Sequence, residues 1–194
     1  MEVIFATHNK HKSKEIKKLA SDVVLIRNLN DIGYETEIPE TGTTLMANAL
    51  EKCQFVKKSV SSPVFADDTG FEVDALNGAP GVYSARYAGE PKSDKANLQK
   101  LLGEIQGKAD RRARFKTVIC FLKDDEPLFF EGVVEGKVID TPKGAEGFGY
   151  DPVFIPEGYQ QTFAEMDLEL KNKISHRGKA FEKFVNYLHE NYSK

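Results

Sequence analysis

Short apolar runs alternate with polar or glycine-containing stretches along most of the chain. Three of these runs, residues 3–6, 23–26 and 63–66, have the length of a buried β-strand and end at polar or charged residues. Two longer β-rich segments, 114–122 and 128–139, flank a short polar turn. Two such segments around a turn predict an antiparallel hairpin.

Apolar residues at steps of three and four predict helices between these strands. The segment 44–59 carries such a stripe, and Thr43 or Thr44 can cap its start. The clearest stripe in the chain follows Gly178. The two stripes consist of Met46, Ala49, Leu50, Cys53 and Val56 in the first segment, and of Phe181, Phe184, Val185 and Leu188 in the second.

Weaker helical patterns follow Asn9 and cover residues 94–102, whereas residues 28–43 lack periodicity and predict a loop. Strands mixed with helices and a hairpin predict the α/β (mixed α+β) class. We expect one long central mixed β-sheet flanked by helices, in two lobes around a cleft. No linker-like segment interrupts the chain, so residues 1–194 are expected to form a single domain.

Composition excludes several classes of protein. Hydrophobic residues make up 40% and charged residues 29%, as in a globular protein, and no apolar run is long enough for a bilayer. The first residues do not form a signal peptide, and the two cysteines, Cys53 and Cys120, form no CxxC pair. We therefore expect buried, reduced thiols in a cytoplasmic protein with no membrane partner. The net charge of −3 argues against a nucleic-acid partner.

The first candidate site follows the strand over residues 3–6. Thr7 and Asn9 offer side-chain hydrogen bonds, Lys12 offers a positive charge, and the start of the following helix offers backbone N–H groups. Together these groups suit a phosphate. The alternative is that Asn9 is only a helix N-cap and that the lysines of residues 10–18 form a solvated face.

The second candidate is the acidic sequence Asp67-Asp68-Thr69-Gly70. Adjacent carboxylates at the end of a strand point to opposite sides, so one can face a cleft. Carboxylate oxygens there suit Mg²⁺, which takes few protein ligands and fills its remaining coordination positions with water and substrate phosphates. Glu40, in an acidic loop, could join such a site. The alternatives are an Asx-turn at Asp67–Gly70 and a merely solvated loop at Glu40.

Two further segments could contact a ligand. The glycine-rich stretch 144–152 has neither the dinucleotide nor the Walker pattern, but Phe148 and Tyr150 could stack on a flat ring. The alternative is a turn with core aromatics. His176 and Arg177 would lie at a helix N-terminus, where cations are unfavourable unless an anionic or oxygen-rich partner is near, and a surface arginine is the alternative.

Phosphate turn, acidic pair, aromatic glycine loop and His-Arg pair together suit a nucleotide. In this combination the chain resembles the inosine triphosphate pyrophosphatase family over nearly its whole length. The resemblance rests on seven segments in order, namely residues 6–12, 40–44, 48–49, 66–70, 78–87, 147–152 and 174–178.

The resemblance implies a role for each matching residue. Asp68 would be the catalytic base and, with Glu40, a ligand of Mg²⁺. The triphosphate would contact Thr7, His8, Asn9, Lys10, His11, Lys12, Lys52 and Thr69. The nucleoside would contact Phe148, Gly149, Tyr150, Asp151, Lys171, His176 and Arg177. Pro39 stands where family members often carry a second acidic residue, which leaves Glu40 as the expected ligand.

The resemblance also implies a reaction. Such enzymes convert ITP, dITP or XTP to the monophosphate and pyrophosphate with Mg²⁺, which cleanses the nucleotide pool, and they are usually homodimers. We therefore expect a Mg-dependent pyrophosphohydrolase of a small-molecule nucleotide, with direct attack by water. Two other functions stay open: a nucleotide- or RNA-binding module without turnover, and the same chemistry on modified pyrimidine nucleotides.

Overall fold

A computed structural model describes residues 1–19 and 24–192 of the chain. The strands in these ranges are β1 (Glu2–Phe5), β2 (Leu25–Asn28), β3 (Val64–Val73), β4 (Pro80–Gly81), β5 (Arg112–Leu122), β6 (Leu128–Val138) and β7 (Phe154–Pro156). The α-helices are α1 (Lys10–Leu19), α2 (Leu45–Lys57), α3 (Asp94–Ile105), α4 (Leu168–Ile174) and α5 (His176–Tyr192). Strands and helices are interspersed, which confirms the predicted mixed α/β class.

The strands form one mixed sheet in the order β2–β1–β3–β5–β6–β7, with β4 paired to β3 off this path. β1 lies parallel to both β2 and β3, and its residue Phe5 pairs with Asn28 on one side and Phe65 on the other. β3 is antiparallel to β4, and β6 is antiparallel to β7. β5 and β6 are neighbours joined by residues 123–127, as expected for the predicted hairpin.

The chain groups into two compact units, each built from separate stretches of sequence. Unit 1 consists of Met1–Asp68, Thr117–Gly132 and Arg177–Lys194, and unit 2 of Thr69–Lys116 and Val133–His176. The expectation of a single domain over the whole chain stays a prediction.

Unit 1 has two apolar clusters. In the first, the rings of Phe5 and Phe65 stack with centroids 4.5 Å apart, and Phe184 of α5 packs 5.0 Å from Phe65. The second cluster contains the two cysteines, Cys53 and Cys120, which are free and buried. Burial raises the pKa of the Cys53 thiol well above its ordinary value, so this thiol stays protonated and behaves as a small apolar side chain.

Unit 2 has one apolar cluster, built largely from aromatic side chains. The Phe115 ring lies 4.5 Å from that of Phe71 and 5.0 Å from that of Phe154, measured between centroids. α3 adds Leu101 and Ile105, both fully buried, to this cluster. The core therefore fixes β3, β5 and β7 around these rings.

β3 is longer than the sequence predicted. The Asx-turn considered for residues 67–70 is wrong, because these residues continue the strand. The strand continues because its pairing changes along its length, from β1 at Phe65 to β4 at Phe71. Asp67 and Asp68 therefore lie inside a strand, just beyond its pairs with β1.

α2 confirms the helix predicted over residues 44–59. Thr44 is its N-cap, and the Thr44 hydroxyl accepts a hydrogen bond from the backbone N–H of Ala47 at 3.1 Å. Met46 was expected on the apolar stripe, but its side chain is 43% exposed and the neighbouring Leu45 is buried instead.

The boundaries of β2 and α5 differ from the predictions. β2 begins and ends two residues later than the apolar run 23–26, because its parallel register with β1 starts at the pair Glu2–Leu25. Val23 of that run, and Ala20, which the helical pattern after Asn9 includes, lie outside the described residues. α5 begins at His176, so Gly178 lies inside this helix and not before it.

The sequence did not predict β4, β7 or α4. β4 and β7 have only two and three residues, too few for a periodic pattern. α4 has seven residues, mostly polar, and its N-cap Asp167 accepts a hydrogen bond from the backbone N–H of Leu170. None of the helices in the described part of the chain is long and apolar enough to cross a membrane.

Two leucine-to-alanine substitutions test where the stability of the fold lies. Leu101→Ala should lower the free energy of unfolding by about 2–5 kcal/mol, because it empties a fully buried site. Leu25→Ala, at a side chain that is 56% exposed, is the matched control and should change it by less than about 0.5 kcal/mol. Urea unfolding of both variants measures the difference; equal losses would contradict the core assignment.

Candidate active site

The adjacent carboxylates of Asp67 and Asp68 reach different partners because successive side chains of a strand point to opposite faces. Asp67 accepts hydrogen bonds from Lys12 and Arg177, whereas Asp68 accepts them from two side chains of α2. Both aspartates are buried. The predicted divergence of the two carboxylates is confirmed, and it creates two polar clusters in unit 1.

In the first cluster, the ammonium group of Lys52 lies between two carboxylates. Its Nζ is 2.9 Å from Oε1 of Glu40 and 3.3 Å from Oδ1 of Asp68. Burial alone would lower the pKa of Lys52, but the carboxylates of Asp68 and Glu40 outweigh burial and raise this pKa above its ordinary value. Lys52 therefore stays protonated, and the two acidic side chains converge on one cation.

Asn48 orients Asp68 within this cluster. The Asn48 side-chain amide donates to Oδ2 of Asp68 at 3.0 Å and accepts from the backbone N–H of Gly42 at 2.8 Å. Asn48 is 1% exposed, so both contacts are made away from bulk water. The loop that carries Glu40 is tied to the same helix at Thr41, which hydrogen-bonds to the carboxylate of Glu51.

Glu40 and Asp68 form a donor set that fits Mg²⁺. This ion takes one or two protein carboxylates and completes its shell with water and substrate phosphates. Two carboxylates that already converge on the Lys52 ammonium are placed to share a cation. The described residues contain no group of three or more His, Cys, Asp or Glu side chains that could hold a metal ion. A metal at this site would therefore need further oxygen ligands from outside the protein.

In the second cluster, Asp67 bridges two cations. Its Oδ1 is 3.0 Å from Nζ of Lys12, and its Oδ2 is 3.2 Å from Nε of Arg177. Burial raises the pKa of Asp67, but Lys12 and Arg177 outweigh burial and hold this pKa well below its ordinary value. Burial lowers the pKa of Lys12, and Asp67 opposes that change.

Asn9 caps the helix that follows the Thr7–Lys12 turn, which confirms this part of the alternative. Oδ1 of Asn9 accepts hydrogen bonds from the backbone N–H groups of His11 and Lys12, at 2.9 and 3.1 Å. Thr7 in turn accepts from the N–H of Asn9. Those two N–H groups at the helix start are therefore bound internally. The alternative that all the lysines are solvated is wrong for Lys12, whose side chain is 13% exposed.

A third cluster, in unit 2, centres on Asp151. Its Oδ2 accepts from Nζ of Lys171 at 2.7 Å and from the backbone N–H of Phe148 at 2.8 Å. The Lys171 and Asp151 side chains are each 4% exposed. The Lys171 ammonium also lies 5.2 Å from the centroid of the half-buried Phe148 ring. One carboxylate thus fixes both a lysine and the glycine-rich loop.

The glycine-rich loop needs glycine at position 147 for a steric reason. Gly147 has φ +76°, and a Cβ atom there would lie 2.1 Å from Oδ2 of Asp151. Gly149 also has a positive φ of +62°, but a Cβ atom there would meet no atom within 4 Å. Its backbone N–H donates to Oδ2 of Asp94 at 3.0 Å.

Two residues predicted to contact the nucleoside have their rings in the aromatic core of unit 2. Tyr150 stacks on Phe71 with centroids 4.9 Å apart, and its hydroxyl donates to the carbonyl oxygen of Ser84. His176 stacks on Phe115 with centroids 4.6 Å apart and is 2% exposed. The alternative of a turn with core aromatics therefore describes Tyr150. Phe148, in the same loop, is half-buried and keeps part of its ring exposed.

The other predicted site residues divide by exposure. His8, Asn9, Lys10 and His11 are exposed, and Glu40, Thr69 and Gly149 are half-buried. Arg177 is 1% exposed, so the surface-arginine alternative is wrong. Sequence reasoning assigned no site role to three polar residues of these clusters: Glu15, Asn48 and Asp94. Asn48 precedes Lys52 by four residues, a spacing that signals a shared helix face, whereas Glu15 stands in a lysine-rich run and gives no signal.

A comparison with protein families identifies the family of this chain. The model of the Ham1 family matches residues 3–187. The chain belongs to the Ham1 family.

Curated relatives of similar length carry a common name. A dITP/XTP pyrophosphatase of Christiangramia forsetii is 49% identical over 189 residues, which cover 97% of this chain and 99% of that protein. A dITP/XTP pyrophosphatase of Porphyromonas gingivalis is 50% identical over 187 residues, which cover 96% of each chain. These names confirm the resemblance to the pyrophosphatase family that the sequence motifs indicated.

Solved structures agree with the fold. The Ham1 protein of Staphylococcus aureus matches with a TM-score of 0.87 at 39% identity, over 98% of this chain and 99% of that one. A HAM1 protein from Coxiella burnetii matches with a TM-score of 0.89 at 38% identity, with the same coverage.

Two glycine-to-alanine substitutions test the Asp151 cluster. Gly149→Ala introduces only the strain of a left-handed alanine, about 1–2 kcal/mol. Gly147→Ala adds a clash with the Asp151 carboxylate and should lower the free energy of unfolding by at least about 2 kcal/mol more, because it displaces a buried ion pair. Chemical unfolding of both variants measures this; equal losses would show that the carboxylate moves without cost.

Proposed function

We propose that this chain hydrolyses noncanonical purine nucleoside triphosphates (ITP, dITP and XTP) to the monophosphate and pyrophosphate. The observation that carries the proposal is the convergence of Glu40, Lys52 and Asp68, two carboxylates and a protonated amine held by buried contacts. The family membership and the names of the relatives support the substrate class. The protein is accordingly a hydrolase of the nucleotide pool.

The chemistry follows from the charge of the substrate. A triphosphate is strongly anionic, so its hydrolysis depends on positioning and charge neutralisation more than on covalent steps. Lys12 and Lys52 are the basic side chains that would contact the phosphates. Pyrophosphate leaves when water attacks the α-phosphorus, and Asp68 is the group that would orient this water and accept its proton. Asn48 keeps the Asp68 carboxylate in a fixed orientation for that task.

Glu40 and Asp68 would hold Mg²⁺. The ion, when bound, supplies positive charge to the phosphate oxygens. Support comes from the donor set itself, since two carboxylates are the usual protein share of a Mg²⁺ shell. The convergence of both carboxylates on Lys52 keeps them close together without relying on the ion.

The nucleoside would bind at the Asp151 cluster. The partly exposed ring of Phe148 offers a face for a base, and Lys171 and His176 are the donors of this unit proposed to read a 6-oxo group. Adenine presents an amino donor at that position and would leave a donor facing a donor, which disfavours it. Asp151 holds Lys171 and the Phe148 backbone in one arrangement.

The proposal includes the cellular setting. We propose a cytoplasmic homodimer that acts on small nucleotides and not on nucleic acid or membranes. The buried thiols of Cys53 and Cys120 are compatible with a reducing compartment, and the net charge of −3 gives no general attraction to nucleic acid. The dimer rests on the family resemblance.

Replacing the proposed base tests the reaction. Asp68→Asn should lower the rate of pyrophosphate release from ITP by about 10²–10⁴-fold with the fold retained, because a positioned base is lost. Asp140→Asn, at an aspartate whose side chain is 72% exposed, is the matched control and should leave the rate unchanged. Product analysis on ITP, XTP, ATP, GTP, dUTP and dTTP measures rate and selectivity.

Three outcomes of that experiment would contradict the proposal. Orthophosphate as the first product would refute the stated bond cleavage. ITP that stays intact in the presence of the pure protein and Mg²⁺ would favour the binding module, and a preference for pyrimidine nucleotides would favour the related pyrimidine chemistry.

Metal removal tests the proposed Mg²⁺ site. EDTA should abolish pyrophosphate release, and excess Mg²⁺ should restore it. Glu40→Gln should raise the Mg²⁺ concentration for half-maximal rate at least about tenfold, since even outer partners of metal ligands have effects of that size. Glu37→Gln, at an exposed glutamate of the same loop, is the control. Full activity in EDTA, or equal behaviour of the two variants, would refute the site.

A further inference from the structure

Arg177 is the largest fully buried side chain of the described residues, and carboxylates of two other elements contact its guanidinium group. NH1 of Arg177 pairs with Oε2 of Glu15 on α1, and its Nε pairs with Oδ2 of Asp67 on β3. The three side chains are at most 6% exposed. Burial lowers the pKa of Arg177, but Glu15 and Asp67 outweigh burial and raise it, so the guanidinium stays charged.

The same carboxylate of Asp67 also holds Lys12, which the proposed function places on the triphosphate. Lys12 Nζ lies 3.0 Å from Oδ1 of Asp67, and Arg177 Nε donates to the other oxygen, Oδ2. The four side chains therefore form a continuous series of ion pairs from Glu15 through Arg177 and Asp67 to Lys12. Its formal charges sum to zero.

The series begins and ends on one helix. Lys12 and Glu15 are three residues apart on α1, so they share a face of that helix. The start of α1 is itself fixed by the Asn9 cap. The ion pairs thus close a ring from α1 through α5 and β3 back to α1. Arg177 and Asp67 each pair with two side chains of the series, and Lys12 and Glu15 are joined through the backbone of α1.

Removing Glu15 would change the position of Lys12. The buried guanidinium would lose a carboxylate and would be drawn toward Asp67, because an uncompensated buried charge is costly. Arg177 and Lys12 would then compete for one carboxylate. Glu15, which pairs with Arg177, would in this way determine where the Lys12 ammonium sits.

We propose that Glu15 is a positioning residue of the hydrolase, which acts through Arg177 and Asp67 to fix the ammonium group of Lys12 for the triphosphate. The inference rests on the proposed function, because it uses the assignment of Lys12 to the phosphates. It adds a residue that no sequence motif indicated. It also gives the buried Arg177 a role, which is to connect Glu15 to the carboxylate that holds Lys12.

Glu15→Gln tests the inference. The variant keeps the shape of the side chain and removes its charge, and it should lower kcat/KM for ITP about 10- to 100-fold, with a raised KM. A purely structural loss would lower the folded fraction, and hence kcat, without changing KM. Binding of inorganic tripolyphosphate, measured by calorimetry, should weaken in parallel and is independent of turnover.

A matched control removes a glutamate from a different arginine. Glu2 pairs with Arg27 at 3.1 Å, and these side chains are 40% and 48% exposed. Glu2→Gln breaks this surface pair and should leave KM, kcat and tripolyphosphate binding unchanged. Glu15→Asp keeps the charge of Glu15 and should recover part of the loss seen in Glu15→Gln.

A double-mutant cycle with Lys12→Met decides whether Glu15 acts through Lys12. The inference predicts that Glu15→Gln has little further effect on kcat/KM and tripolyphosphate binding once Lys12 is replaced. Full additivity, an unchanged KM in the single variant, or failure of both Glu15 variants to fold would overturn it. A wild-type protein that binds tripolyphosphate but does not hydrolyse ITP would refute the proposed function alone, since the binding cycle still tests the link between Glu15 and Lys12.

Discussion

The burial of two adjacent carboxylates inside β3 is the constraint on which the polar part of this structure depends. Asp67 and Asp68 lie in the sheet, where an unpaired charge is strongly unfavourable. Three helices therefore supply compensating groups, with Lys12 from α1, Lys52 from α2 and Arg177 from α5. The helices are oriented around β3 by charge as well as by apolar packing.

The alternation of side chains along a strand separates the two carboxylates into different tasks. Asp68 shares its side with Glu40 and Lys52, a group suited to a metal ion and to proton transfer. Asp67 serves a network of positive charges and is held ionised by it. A single dipeptide thus links the chemistry proposed for the substrate to the electrostatics that keep the helices in place.

Sequence reasoning reached the fold class, α2 and the divergence of the aspartates, because each depends on local periodicity or on the pleat of one strand. It failed where long-range pairing decides. β3 passes through an apparent turn because β4 pairs with its second half. Met46 lies off the buried face of α2, where Leu45 takes its place. Glu15 was not predicted for the same reason. A carboxylate in a lysine-rich helix is expected to be solvated, and only its partner Arg177, distant in sequence, explains its burial.

The strand order has a consequence for the tendency of the protein to aggregate at high concentration. β2 and β7 are the outer strands of the main path, where unpaired backbone groups could recruit a strand from another molecule. β7 has three residues and ends in Pro156, which lacks an N–H donor, and β2 has four residues and carries the charged Arg27. Brevity, a proline and a charge at its margins protect this sheet from edge-to-edge aggregation.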